Sequence, residues 1–158
     1  MNSHHTVAIG TWEGDKQQSI EYNSSIAVGI DCPRAKLRVS ILLDTIQDYQ
    51  VRYIFSDEEI SEAVNEAGLI IGARGIAYEG VLQRKPVIVV GEYGFGGLVT
   101  PDTLHEQYNN YFRGKINGIK AEYFSLERLE EEIRRGFALT FQELQMMSNQ
   151  TIRFLHNI

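Results

Sequence analysis

Gly72-Ala73-Arg74-Gly75 ends one apolar run, Gly68-Leu-Ile-Ile-Gly72, and precedes a stretch of helical apolar spacing, so two glycines and a guanidinium stand where a strand would hand over to a helix. Such a turn puts unpaired backbone N–H groups at a helix N-terminus beside an arginine, and both attract a phosphate. Glu79 stands four residues past Gly75, about one turn into the same helix, where its carboxylate could accept hydrogen bonds from sugar hydroxyls. The same spacing also suits an ordinary exposed glutamate paired with Arg74, Arg84 or solvent. A second glycine cluster, Gly91-Glu-Tyr-Gly-Phe-Gly-Gly97, follows the apolar Pro86-Val-Ile-Val-Val90. Its Gly94, Gly96 and Gly97, with Phe95 between them, predict a loop, because glycine takes positive φ and lets backbone approach a ligand closely.

The remaining candidates carry less chemistry. Gly10-Thr-Trp-Glu-Gly-Asp-Lys16 suggests a phosphate loop, but its spacing is short and no Ser or Thr follows the lysine, so a strand-to-helix turn is the expectation. His4-His5 are adjacent in a tail and read as a mobile terminus. His105 and His156 stand in helical stretches with no nucleophile or carboxylate in a catalytic order. Tyr108, Tyr111 and Phe112 lie beside Leu104 at helical spacing and read as core or interface, as do Met146 and Met147. Cys32 is the one cysteine, so no internal disulfide and no Cys-rich metal site can form, and no metal is expected.

These residues need elements to hold them. Val51-Arg-Tyr-Ile-Phe55 reads as a strand, and Ser56-Asp-Glu-Glu59 as a capping box opening a helix from Asp57 to about Ala67, with Ile60, Ala63, Val64 and Ala67 on one face. The apolar runs ending at Gly72 and Gly91 have no polar alternation, as in strands covered on both faces. Between them Ile76, Ala77, Gly80, Val81 and Leu82 keep helical spacing up to Arg84-Lys85-Pro86. Residues Arg34 to Tyr49 suit a helix, Thr6 to Gly10 a strand, and Ile26 to Ile30 is ambiguous. Thr100-Pro101-Asp102 predicts a helix start with Thr100 as cap. Ser125 opens a C-terminal helical region over 125–158, with Leu126, Leu129, Ile133 and Phe137 as its apolar stripe and Glu127, Arg128, Glu130, Glu131, Glu132, Arg134 and Arg135 as its solvated face. The fold class is therefore α/β, a Rossmann-like open parallel sheet with helices on both faces, its clearest core at 51–114 and its ligand expected at the carboxyl ends of the strands.

A chain of 158 residues suits one domain, 1–158, with a sizeable core. Its formal net charge of -6 argues against a nucleic-acid partner, which would need Lys and Arg concentrated on one face. No apolar run approaches the ~18 residues of a membrane span, and Met-Asn-Ser-His-His lacks the pattern of a secretory signal, so a soluble, cytoplasmic protein is expected, peripheral to the membrane where a partner holds it there.

The stretch Glu66-Ala-Gly-Leu-Ile-Ile-Gly-Ala-Arg-Gly-Ile-Ala-Tyr-Glu79, continuing through Gly80-Val-Leu-Gln-Arg-Lys-Pro-Val-Ile-Val-Val-Gly91, resembles the donor-binding half of GT-B glycosyltransferases. There an "AD-apolar-apolar-G" strand leads into a Glu-bearing helix and then "G-x-P-V-I". Glu92-Tyr-Gly-Phe-Gly-Gly-Leu-Val-Thr-Pro-Asp102 is similar to a "G-Y-G-G-L-V-T-P-E" stretch of bacterial members. The resemblance implies that Glu79 binds the ribose of a nucleotide diphosphate sugar, that Gly72, Ala73, Arg74 and Gly75 hold the diphosphate, and that the Gly94 to Gly97 loop lies near the donor. The nucleotide sugar would be substrate, with no cofactor. The chain differs from the pattern at Ile71, where many retaining members carry a second acid, at Arg74-Gly75, where several read Gly-Arg, and at Arg84, where glycine is usual. A GT-B enzyme also has an acceptor-binding half, so a separate polypeptide or self-association is expected to supply it. A non-catalytic or degenerate nucleotide- or protein-binding module is the alternative, and a sugar-nucleotide epimerase or hydrolase fragment a third.

Overall fold

The computed structural model describes residues 4–13, 16–115 and 118–156. The chain opens with β1 (His4–Glu13) and β2 (Lys16–Asn23), an antiparallel pair with Val7 opposite Ile20, forming a sheet of their own. The Gly10 to Lys16 stretch, expected to turn from strand to helix, instead lies in β1 as far as Glu13 and in β2 from Lys16, with Gly14 and Asp15 outside the described residues. His4 and His5 begin β1.

The main sheet holds β3 (Ser25–Gly29), β4 (Gln50–Tyr53), β5 (Leu69–Gly72), β6 (Val87–Gly91) and β7 (Gly94–Leu98), in the spatial order β4-β3-β5-β6-β7. The first four run parallel, and β7 is antiparallel to β6. This is an open α/β sheet of Rossmann-like type. The ambiguous Ile26 to Ile30 stretch proves to supply most of β3, an interior strand between β4 and β5, so the core extends upstream of 51–114. Its residues alternate between faces: Ile26 and Val28 pack on one side, Ala27 on the other.

Helices cover both faces. On the first, α1 (Pro33–Thr45) buries Ala35, Val39, Leu42 and Leu43 against β3, β5 and β6. On the second lie α2 (Ile60–Glu66), α3 (Gly75–Leu82) and α4 (Leu104–Asn109), which bury Val64, Ala77, Val81 and Leu104. The C-terminal helical region divides in two: α5 (Leu126–Phe137) returns to the first face through Leu129 and Ile133, and α6 (Phe141–His156) crosses to the second through Met147. The division follows a second capping box, in which Glu143 accepts from the Thr140 N–H (2.9 Å) and Thr140 Oγ1 accepts from the Glu143 N–H (3.1 Å).

Caps expected from the sequence are in place. Ser125 Oγ accepts from the Arg128 N–H at 3.1 Å. Thr100 Oγ1 accepts from the Thr103 N–H at 3.2 Å while Thr103 Oγ1 accepts from the Thr100 N–H at 2.8 Å, so the turn starts at Thr100 although regular helix begins at Leu104. A 3₁₀ turn, Asp57–Glu59, precedes α2, and Glu59 Oε2 accepts from the N–H groups of Phe55 (3.2 Å) and Ser56 (3.1 Å). Those donors, Phe55 foremost, hold the Glu59 carboxyl below the usual carboxylate range. Among the described residues no helix is long and apolar enough to cross a membrane.

Two outcomes follow from these helix ends. A folded-state pKa below the unfolded value stabilises the fold at neutral pH and is lost as pH falls through it, so Glu59→Gln lowers the thermal midpoint at pH 7 and the deficit closes on acidification. Arg84, just past α3, has φ 60, a conformation costing an L-residue roughly 1–2 kcal/mol. Arg84→Gly, which suits that conformation, is expected to raise stability by about 1 kcal/mol in a denaturant titration.

Candidate functional site

The chain runs from β3 through α1 to β4 on one side, then through α2 to β5 on the other side of β3. Loops therefore diverge at the carboxyl ends of β3 and β5, where open α/β sheets bind ligands. A cavity of about 310 Å³ lies there, lined by Gly29 and Asp31 after β3, Phe55 and Asp57 after β4, and Arg74 after β5, with Tyr111 reaching in from the segment beyond α4.

Close backbone packing shapes its floor. Gly29 and Gly72 stand opposite each other at the ends of β3 and β5. A Cβ on Gly72 would lie 2.5 Å from Gly29 O and 2.6 Å from Ile76 Cγ2, and one on Gly29 would lie 2.7 Å from Ile76 Cδ1. Ile76, in the first turn of α3, is seated over both glycines. For α3 to start so close to the strand end, the chain must turn sharply, and Arg74 does so at φ 56, ψ -126. Its N–H donates to Phe112 O (3.0 Å), its carbonyl accepts the Tyr78 N–H (2.9 Å), and the Ala73 N–H donates to Gly29 O (3.3 Å). The first-turn N–H groups of Gly75, Ile76 and Ala77 precede that first intrahelical bond.

The strain is concentrated here. Four described non-glycine residues have positive φ, and Arg74, Tyr111 and Phe112 are three of them. Arg74 and Tyr111 line the cavity, while Phe112 is fully buried and accepts the Arg74 N–H. Strained backbone of this kind persists where the surroundings over-determine it and clusters at functional sites.

Side chains give the cleft mixed chemistry. Asp31 and Asp57 present acceptors suited to hydroxyl groups. Phe55 is 77% exposed, with Lys36 Nζ 4.2 Å from its ring centroid, and Tyr111 is 44% exposed, so two aromatic surfaces flank the opening. Arg74 Nε donates to Glu92 Oε1 at 3.0 Å and its NH2 bonds the same oxygen. That hydrogen bond, then the charge of Glu92 and more weakly of Asp31, raises the guanidinium's affinity for its proton. Among the described residues no group of three or more His, Cys, Asp or Glu could hold a metal ion.

The chain matches no protein-family model, no curated protein and no solved structure. Its candidate site therefore stands on residues and geometry.

The strand-to-helix turn is as expected: Gly72 ends β5, and Ala73, Arg74 and Gly75 line the cleft, whereas Gly72 is not part of its lining. Glu79 lies elsewhere on α3, outside the cavity lining, and its Oε2 accepts from Gln83 Nε2 at 2.8 Å, which also donates to Ser61 O. The Gly94 to Gly97 stretch is not a loop. It forms β7, with Phe95 buried and its ring stacked 4.7 Å from that of Phe124. Its glycines accommodate the chain's own groups: a Cβ on Gly96 would lie 2.8 Å from Gln107 Oε1, and one on Gly97, at φ +77, would lie 2.8 Å from Glu132 Oε1. Glu132, expected on a solvated face, is only 2% exposed, because Gly97 leaves it space and Arg135 (2.6 Å) and Arg128 (3.5 Å) neutralise it.

The aromatic group also divides, since Phe112 is core, Tyr108 packs against Phe154 at 4.7 Å and Tyr111 lines the cleft. His105 packs its ring 5.6 Å from Phe154. Met147 is buried, whereas Met146 is largely exposed. Asp31, Asp57 and Phe55 were not singled out from the sequence for chemistry. Their signal is position, immediately after the ends of β3 and β4.

Gly72→Ala tests the floor directly. The clash is with backbone, Gly29 O, and cannot be relieved by a side-chain rotation. Overpacking of this sort costs about 1–3 kcal/mol, so the variant is expected to unfold at lower denaturant, whereas Gly75→Ala, whose Cβ would meet only Ile60 Cδ1 at 3.8 Å, is expected to change stability far less.

Proposed function

We propose that this chain is a nucleotide-binding domain of the donor type in GT-B glycosyltransferases, taking a nucleotide diphosphate sugar in the cleft between β3 and β5. In this reading an acceptor-binding half on another polypeptide completes the enzyme. The mixed lining of one switch-point cleft carries the proposal: carboxylates for hydroxyls, a guanidinium and a helix N-terminus for phosphate, and exposed aromatic rings for a base. Few other ligand classes need all three. The resemblance over Glu66 to Asp102 points the same way.

During transfer, negative charge develops on the leaving diphosphate. Arg74 and the first turn of α3 would offset it as groups already in place, which costs no reorganisation at the moment of reaction. A general base is expected from the acceptor half. Asp57, just past the end of β4, and Asp31 would take the ribose or sugar hydroxyls; the resemblance instead gives the ribose to Glu79.

A second reading, a nucleotide-binding module without transferase activity, draws on the position of Glu79 outside the cleft. It predicts the same binding and no turnover of a nucleotide sugar with any acceptor half.

Isothermal titration of the full chain with UDP, GDP, CDP, ADP and TDP tests the binding. One nucleotide is expected to bind selectively. Arg74→Gly, which removes the guanidinium and suits the positive φ, should weaken it at least tenfold, the scale of a charge-assisted hydrogen bond, without lowering the thermal midpoint. Asp57→Asn should weaken binding while Glu79→Ala leaves it unchanged. The reverse pattern would assign the ribose to Glu79, and no binding by any nucleotide would sink both readings.

A further inference from the structure

Beside the cleft, Glu92 stands between two arginines from different segments. Arg74 binds its Oε1 through Nε and NH2, and Arg113 Nε lies 3.7 Å from the same oxygen. One carboxylate oxygen therefore faces two guanidinium groups, and the trio carries a net positive charge. Arg113 Nε is buried and makes no hydrogen bond, because 3.7 Å is too long for one. A buried guanidinium N–H without an acceptor is costly. The resident carboxylate thus satisfies one arginine and leaves the other incompletely paired.

Both arginines are held in place. Arg74 is fixed by its turn at positive φ, and the Arg113 backbone by its N–H to Asn110 Oδ1 (3.2 Å) and by its carbonyl, which accepts the Tyr93 N–H (2.9 Å). The Arg113 guanidinium also donates from NH1 to Tyr93 Oη at 3.0 Å and lies 5.7 Å from that ring's centroid. The two segments are tied together by the Arg74 N–H to Phe112 O bond. Fixed, forked donors converging from two sides match the oxygens of a tetrahedral phosphoryl group better than one carboxylate.

We propose that Arg74 and Arg113 form a clamp for a phosphoryl oxyanion, and that Glu92 is a resident counter-ion which such an anion displaces. The clamp deepens the reading above, since it would hold the diphosphate of the same ligand, and it adds Arg113 to the site. Displacement is energetically accessible. All three side chains of the trio are between a third and a half exposed, and ion pairs that exposed contribute little to stability. A phosphoryl group brings more charge and more acceptor atoms than the carboxylate it replaces, including one for Arg113 Nε. Glu92 then acts as a threshold, since weakly charged anions do not compete with it.

Titration of the full chain with inorganic pyrophosphate and, separately, inorganic phosphate tests the clamp. Glu92→Gln is expected to tighten pyrophosphate binding about tenfold and Arg113→Gln to weaken it about tenfold, the scale of one charge-assisted contact. Arg113→Lys, which keeps the charge without the fork, should fall between Arg113→Gln and the parent. Glu122→Gln, a carboxylate paired with Arg34 rather than with Arg74 or Arg113, controls for net charge and should change little. Equal tightening by Glu92→Gln and Glu122→Gln would mean a general charge effect and overturn the clamp, as would an Arg113→Gln variant that folds and binds like the parent. Selective nucleotide binding that is indifferent to Glu92 and Arg113 would leave the function reading standing and this one refuted. Pyrophosphate binding with the expected variant pattern, and no preference among nucleotides, would do the opposite.

Discussion

Ile76 seated over Gly29 and Gly72 is the contact on which the rest of the cleft depends. It brings the start of α3 against the ends of two neighbouring parallel strands, closer than any side chain at either glycine would allow. That closeness leaves too little chain for a relaxed loop, so the turn is made in two residues and Arg74 takes a left-handed φ. The guanidinium is consequently presented from a rigid position at the sheet's end. The strain at Arg74 is compensated by the burial of Ile76 and by the bond from the Arg74 N–H to Phe112 O, which also seats the segment carrying Tyr111 and Arg113. Floor, turn and far wall form one mechanical unit.

Much of the fold was legible because its signals are local. The apolar runs ending in Gly72 and Gly91 have no polar alternation, and they lie in a sheet covered on both faces, as such runs must. Ser125 and the Ser56 to Glu59 box mark helix starts through hydrogen bonds spanning three or four residues. What was hard to read depends on distant partners. Ile26 to Ile30 lies inside the sheet only because β4 and β5 pair on either side of it. The glycines of β7 read as loop because a sequence does not reveal whether the group that needs the space is a ligand or the chain's own Gln107 and Glu132. Glu132 itself carries the spacing of a solvated residue and is buried only because Gly97, at positive φ, lies opposite.

The site divides in the same way. The turn from Gly72 to Gly75 is a contiguous motif and was visible as one. Asp31, the pair Phe55 and Asp57, and Tyr111 come from three different connections, and only the strand order brings them to one place. Periodicity places residues on a face of an element, but it does not say which strand ends lie side by side. Glu79 shows the converse, since a helical carboxylate one turn from a glycine-rich junction had the right spacing, yet the rotation of α3 directs it to Gln83.

The edge of the sheet at β4 bears on how the protein behaves in solution. Among the described residues β4 has a single neighbour, β3, so one side of its backbone is open to pairing with another chain. It is only four residues long and carries Arg52, which reaches Glu59, Glu62 and Glu66 at 3.7, 3.5 and 3.3 Å. A short strand bearing charge is a poor template for a further strand. An intruding strand would crowd this charged fan while gaining few backbone hydrogen bonds. The exposed edge is thereby kept from seeding aggregation, even though the parallel strands behind it are among the most apolar in the chain.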